Sequence, residues 1–224
     1  MLIGQFETIL TGHFVQKKTM GSVFQQRYRT VLLYCVYFCY FADAPGKGLE
    51  KMKKNHTRTI AKAALIAAAY VALTWVSEAL GLGFGAVQLR ISEALTILPA
   101  FTPAAIPGLV LGCAIANAGS PLGPIDIVVG TTATLLQVFC TRGLRNVKCK
   151  GIPVISLLMP VLFNAVFVGA EIAFLSMQEE GFWAVFTSTA ASVGLGELII
   201  CAVLGTALYR LIDKRPALKK IIEQ

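Results

Sequence analysis

Between Lys62 and Arg142 the chain carries a single basic residue, Arg90, while Lys and Arg crowd three short stretches, Lys51–Lys62, Arg142–Lys150 and Arg210–Lys220. Apolar runs fill the space between these stretches. Long apolar runs bracketed by short basic clusters are the pattern of membrane spans joined by cytoplasmic loops. Composition agrees, with 56% hydrophobic and 14% charged residues, against about 25% charged in soluble domains. Such a chain has too little polar surface to cover a water-facing exterior, so a lipid bilayer is its expected solvent. The net charge of +8 sits in the loop stretches. No continuous basic face with interleaved aromatics occurs, which argues against nucleic acid as a partner.

Cysteine and histidine add no chemistry. Cys35, Cys39, Cys113, Cys140, Cys149 and Cys201 form no C-x-x-C pair, and three of them lie in or at the end of apolar runs. Cysteine packs there as a small hydrophobe. His13 and His56 stand alone, without a second ligand at metal-binding spacing. No metal and no cofactor are expected.

Residues 1–51 differ from the rest. Their apolar run, Val31–Ala42, is short of the roughly 20 residues a spanning helix needs. It is crowded with Phe, Tyr, Cys, Val and Leu, whose codons are rich in T. The stretch Lys47-Gly-Leu-Glu-Lys51 has codons able to spell a purine-rich ribosome-binding sequence, and Met52 opens a basic and then apolar start. The expectation is an extension over 1–51 that is not native, a true start at Met52, and one transmembrane domain over 52–224. A genuine cytoplasmic tail is the alternative.

Six apolar segments follow, at about 60–80, 91–101, 103–117, 125–141, 152–175 and 182–212. The second and third are short and either tilt or form one broken element. Four crossings separate the first basic stretch from the second, and two more separate the second from the third. All three then lie on one side, the cytoplasm, and the Gln178-Glu-Glu180 turn lies outside. The predicted fold is an all-α integral membrane bundle of six transmembrane helices with both termini cytoplasmic.

On this topology the polar residues gather in the outer half. Charged groups within a membrane are costly and usually functional. Gln88, Arg90 and Glu93 belong to the outer loop and the start of the second segment. Asn117 ends the third, Asp126 opens the fourth, Asn164 lies in the fifth and Glu197 near the middle of the sixth. Together they describe an outward-facing pocket for a small polar ligand. Asn164 and Glu197, within long apolar runs, read as functional, whereas others have a plainer reading. Arg90 and Glu93 are spaced to pair with one another, Asn117 to cap its helix end, and Asp126 to serve a helix N-terminus. Glu78 and Glu171, near helix ends, are expected to be solvated. Ala61, Ala64, Ala68 and Ala72 form a small-residue ridge on the first helix, of the kind that lets membrane helices approach closely, although a lipid-facing alanine run reads the same way.

These residues resemble a known family. The run Ala86-Val-Gln-Leu-Arg-Ile-Ser-Glu-Ala-Leu-Thr-Ile-Leu-Pro99, then Phe101-Thr-Pro-Ala-Ala-Ile-Pro-Gly108, resembles the QueT family of energy-coupling factor (ECF) transporters. So do Leu111-Gly-Cys through Asn117, Asp126-Ile-Val-Val-Gly130, Pro160-Val-Leu-Phe-Asn164 and Gly194-Leu-Gly-Glu-Leu198. The resemblance covers Met52 to about Arg215. It implies an S-component: a six-helix protein of the bacterial cell membrane that binds a micronutrient outside. Its implied partners are a transmembrane subunit, EcfT, and two ATPases. The chain itself has no Walker motif. The resemblance further implies a queuosine precursor, a 7-deazaguanine base, as ligand. Gln88, Arg90, Glu93, Asn117, Asp126, Asn164 and Glu197 would contact it, Trp75 or Phe84 would stack on it, and Ala64 and Ala68 would dock the partner. Other vitamins or bases are the alternatives within this class. An intramembrane enzyme lacks a catalytic set, and a ligand-free scaffold leaves the outer polar cluster unexplained.

Overall fold

A backbone surrounded by lipid has no water to bond to, and a helix meets that demand within one segment. The computed structural model describes residues 56–82, 88–120, 122–176 and 181–223, all within the unit Cys39–Gln224. The expected start at Met52, the extension before it and Phe84 lie outside the described residues. The elements in chain order are α1 His56–Ala79, a 3-10 helix Ile91–Ala100, α2 Ala105–Asn117, α3 Pro124–Gly143, α4 Val154–Leu175, α5 Phe182–Ile200, a π-helical turn Cys201–Gly205, α6 Thr206–Lys214 and α7 Pro216–Glu223.

Four stretches are long and apolar enough to cross a membrane: Thr57–Ala79, Pro124–Gly143, Val154–Leu175 and the 33-residue run Phe182–Lys214. They coincide with the first, fourth, fifth and sixth segments expected from sequence. The second and third are the 10-residue 3-10 helix and the 13-residue α2. At 2.0 and 1.5 Å rise per residue each covers about 20 Å, against a hydrocarbon core about 30 Å thick. Proline explains the break between them. Pro99 lies inside the 3-10 helix, and Pro103 disfavours helical geometry at Thr102.

The 3-10 helix is an interior element. Seven of its ten residues, from Ser92 to Pro99, are buried, and it packs against α1, α2, α3, α4, α5 and α6. Hydrogen bonds hold both of its ends. Ser77 Oγ accepts from the Ile91 amide at 2.9 Å and Thr74 Oγ1 lies 2.8 Å from Ser92 Oγ, tying it to α1. At the other end Arg142 donates to the Pro99 carbonyl at 2.9 Å.

Helices α1 and α2 meet through small residues. A Cβ added at Gly108 would stand 2.6 Å from the Ala63 carbonyl oxygen, and one at Gly112 would stand 2.9 Å from Tyr70 Cβ. The two glycines therefore set how closely α1 approaches. Ala63, Ala67 and Tyr70 are buried on this side, while Ala61, Ala64, Ala68 and Ala72 are exposed. Gly108→Val is expected to destabilise the protein by about 1–3 kcal/mol through overpacking against backbone, measured as a lower melting temperature in detergent. An unchanged melting temperature would show that α2 can move away freely.

The basic stretches meet at one end of the unit. Lys62 of α1 donates to the carbonyls of Ile221 at 2.7 Å and Ile222 at 3.1 Å, a cation at the end of α7 where helix carbonyls are unpaired. The Lys148 ammonium lies 5.8 Å from the ring centroid of Tyr209, which precedes Arg210. Lys219 pairs with Asp213 at 3.1 Å. Outward-facing apolar side chains, among them Leu65, Leu111, Val128, Leu162, Phe174 and Ile199, give the exterior the character that lipid requires.

Candidate functional site

At the end opposite the basic stretches, the last turn of α1, the segment before the 3-10 helix, the end of α2, the start of α3 and the later half of α4 surround a cavity. Its lining is Glu78, Gln88, Arg90 and Asn117 together with Leu122, Asp126, Val168 and Ile172. Its volume is about 20 Å³, room for about one water, so a ligand the size of a nucleobase must widen it. Local sequence explains how the groups converge. Gly123 takes a φ of 75°, and Pro124 occupies the first turn of α3, where a missing amide proton costs nothing. That turn delivers Asp126 to the rim.

Arg90 and Asn117 form the first link. An Arg90 Nη donates to Asn117 Oδ1 at 2.9 Å, and Asn117 Nδ2 donates to the Asp126 carbonyl at 3.1 Å. Asn117 thus joins the segment before the 3-10 helix, α2 and α3. Gly130 makes room for it, since a Cβ there would collide with Asn117 Nδ2. Arg90 does not pair with Glu93. Among the described residues the ion pair is Lys219 with Asp213.

Glu93 lies deeper, 1% exposed. Tyr70 donates its hydroxyl proton to one carboxylate oxygen, and Gln137 Nε2 donates to the other at 3.0 Å. A second buried pair comes from α4 and α5, where Asn164 Nδ2 donates to Glu197 Oε1 at 3.0 Å. Glu197 is also 1% exposed, and its Oε2 has no hydrogen-bond partner. Arg90 is near enough to act electrostatically on both Glu93 and Glu197. The seven polar residues singled out from sequence therefore occupy one region of the structure. Four line the cavity, and the other three form hydrogen-bonded pairs close to it.

Two residues of the network escape the sequence reading. Gln137 is an amide within an apolar run, the same signal that marks Asn164. Tyr70 gives no sequence signal, because an aromatic residue in a span reads as packing. Glu171 differs from expectation. It is 4% exposed rather than solvated, and neither of its carboxylate oxygens has a partner. Glu78 is partly exposed and lines the cavity. Trp75 is 53% exposed and lies outside the cavity lining. Tyr70→Phe is expected to cost about 1–3 kcal/mol, since it leaves a buried carboxylate oxygen without its donor. Thermal unfolding in detergent measures this, and a wild-type melting temperature would mean that the bond contributes nothing.

Buried polar atoms without partners are uncommon in folded proteins. Here they include Arg90 Nε, Gln137 Oε1, Glu197 Oε2 and both oxygens of Glu171. Donor and acceptor types are mixed, which suits a ligand with both kinds of edge. Among the described residues no group of three or more His, Cys, Asp and Glu is placed to hold a metal ion.

Comparison with known proteins narrows the class. A family profile described as QueT, QueT transporter, matches residues 60–214. Over 92 residues the chain is 36% identical to the queuosine precursor transporter QueT of Lactococcus lactis subsp. cremoris (strain MG1363), a stretch covering 41% of this chain and 53% of that protein. The chain thus spans about half the length of the curated relative it matches. No solved structure matches it. The profile covers well over half of the chain, from the first turns of α1 through α6, and the chain belongs to the QueT transporter family.

Proposed function

We propose that the chain is the substrate-binding S-component of an ECF-type importer in a bacterial cell membrane, and that it captures a queuosine precursor from the outer side. The observation that carries this reading is the set of buried, unpartnered polar atoms on Arg90, just before the 3-10 helix, and on Gln137 of α3, Glu171 of α4 and Glu197 of α5. A 7-deazaguanine offers adjacent N–H donors for a carboxylate such as Glu197. It also offers a carbonyl oxygen for Arg90, and further edges for Gln88, Asn117 and Asn164. Such a ligand meets demands that the protein leaves unmet.

A six-span topology with both termini cytoplasmic fits the contacts at the basic end. Lys62, Lys148 and the α6–α7 region meet there, as they must if an even number of crossings separates each basic stretch from the next. The short 3-10 helix and α2 then serve as the second and third crossings. Delivery inward needs partners, EcfT and two ATPases, because the chain carries no nucleotide-binding motif. The exposed ridge containing Ala64 and Ala68 is the docking face for EcfT, while Ala63 and Ala67 are used within the fold. Transport is not an enzymatic step of this subunit.

The test is uptake. Bacteria unable to make queuosine, producing this chain together with an ECF energising module, should accumulate labelled 7-aminomethyl-7-deazaguanine and restore the modified base in tRNA. Accumulation that does not depend on the chain, or on ATP hydrolysis by the module, would overturn the proposal.

A further inference from the structure

Glu171 is the group that the fold leaves most exposed to a missing partner. Both of its oxygens are buried and neither accepts a hydrogen bond, although a carboxylate can take about four. Val168 and Ile172, three positions before it and one after it, line the cavity, and Glu171, outside the lining itself, shares with them a helix stripe about 100° wide. Its charge acts on Asp126 and Arg90, which both line the same cavity. Glu78 and Asp126 line the cavity with Arg90, Glu171 adds a third carboxyl group beside them, and an Nη of the single guanidinium already donates to Asn117. The other described Lys and Arg side chains belong to the basic stretches at the opposite end. A buried carboxylate without a hydrogen-bonded counterion is expensive, and Arg90, the described cation near enough to act on it, makes no hydrogen bond to either oxygen.

We infer that the cavity selects a positively charged ligand and that Glu171 recognises its cationic group; on the deazaguanine reading above, on which this rests, that group is a primary ammonium. An ammonium brings a full charge and three donors in rotatable directions. A nitrile at the same position brings an acceptor toward carboxylates, which is a repulsive arrangement of the kind that produces specificity. Glu171 is thus a specificity-determining residue rather than a solvated one.

The test titrates the purified full chain in detergent with 7-aminomethyl-7-deazaguanine and with its neutral cyano analogue, for the native sequence and for Glu171→Gln. The native protein is expected to bind the ammonium ligand at least about tenfold more tightly, and the substitution to reduce that ratio by at least about tenfold. The ligand-free melting temperature of Glu171→Gln should hold or rise, because a buried charge has been removed. A native ratio near one, or a ratio unchanged by the substitution, overturns the inference. So does a parallel loss of stability and of both affinities, which marks a merely structural residue. Failure of both ligands to bind folded protein overturns the deazaguanine reading and this inference together. Binding of both without discrimination overturns this inference alone.

Discussion

Arg90→Ala should remove most of the ligand affinity and lower the melting temperature as well. Among the described residues Arg90 is the one Lys or Arg at the cavity end. It donates to Asn117 at 2.9 Å, and its charge acts on both Glu93 and Glu197. Truncating one member of a buried, hydrogen-bonded charge cluster costs about 2–5 kcal/mol, equivalent to roughly thirtyfold or more in affinity. The loss has two sources. The ligand loses a donor to its carbonyl oxygen, and the buried Glu93 and Glu197 lose a positive neighbour. Arg90→Lys should fall between the two, since an ammonium keeps the charge but not the planar fork of donors. Calorimetric titration of the purified variants gives the affinities, and wild-type binding by Arg90→Ala would show that the guanidinium is structural only.

The second large effect separates binding from transport. Replacing Ala64 and Ala68 together by tryptophan should reduce uptake to background while leaving ligand affinity at the native value. Both residues are exposed on α1, away from the polar network. Bulky groups there would hold a partner helix off a face built for close approach. The reverse pattern is expected at Ala63 and Ala67, where added bulk meets the α2 glycines and the fold itself suffers. Uptake equal to wild type in the tryptophan variant would mean that this face meets lipid and not a partner.

Much of this architecture is legible in the amino acids because the bilayer imposes a coarse rule. Apolar runs of sufficient length are helices, and the runs at 125–141, 152–175 and 182–212 reappear nearly unchanged as α3, α4 and the stretch from α5 through α6. The segment Ile91–Ala100 is different. Its residues are ordinary helix formers apart from Pro99, and nothing local dictates 3-10 over α geometry. That geometry brings Glu93 within reach of both Tyr70 on α1 and Gln137 on α3, a meeting that sequence spacing cannot show. Polar residues at helix ends, such as Arg90, Asn117 and Asp126, were conspicuous because so little else there is polar. Glu171 reads less clearly. A position near a helix end suggests solvent, but the packing around α4 closes over it. The alanines of α1 form two interleaved registers that read alike, and only the placement of Gly108 and Gly112 decides which register is used inside the fold.

The central claim is that this polar pocket binds a queuosine precursor, and its most direct test is a titration of the purified chain in detergent, followed by thermal unfolding. Saturable stabilisation by 7-aminomethyl-7-deazaguanine, with none from guanine or riboflavin at the same concentrations, is the predicted result. A well-folded sample that responds to no deazaguanine, or responds equally to guanine and riboflavin, would contradict it.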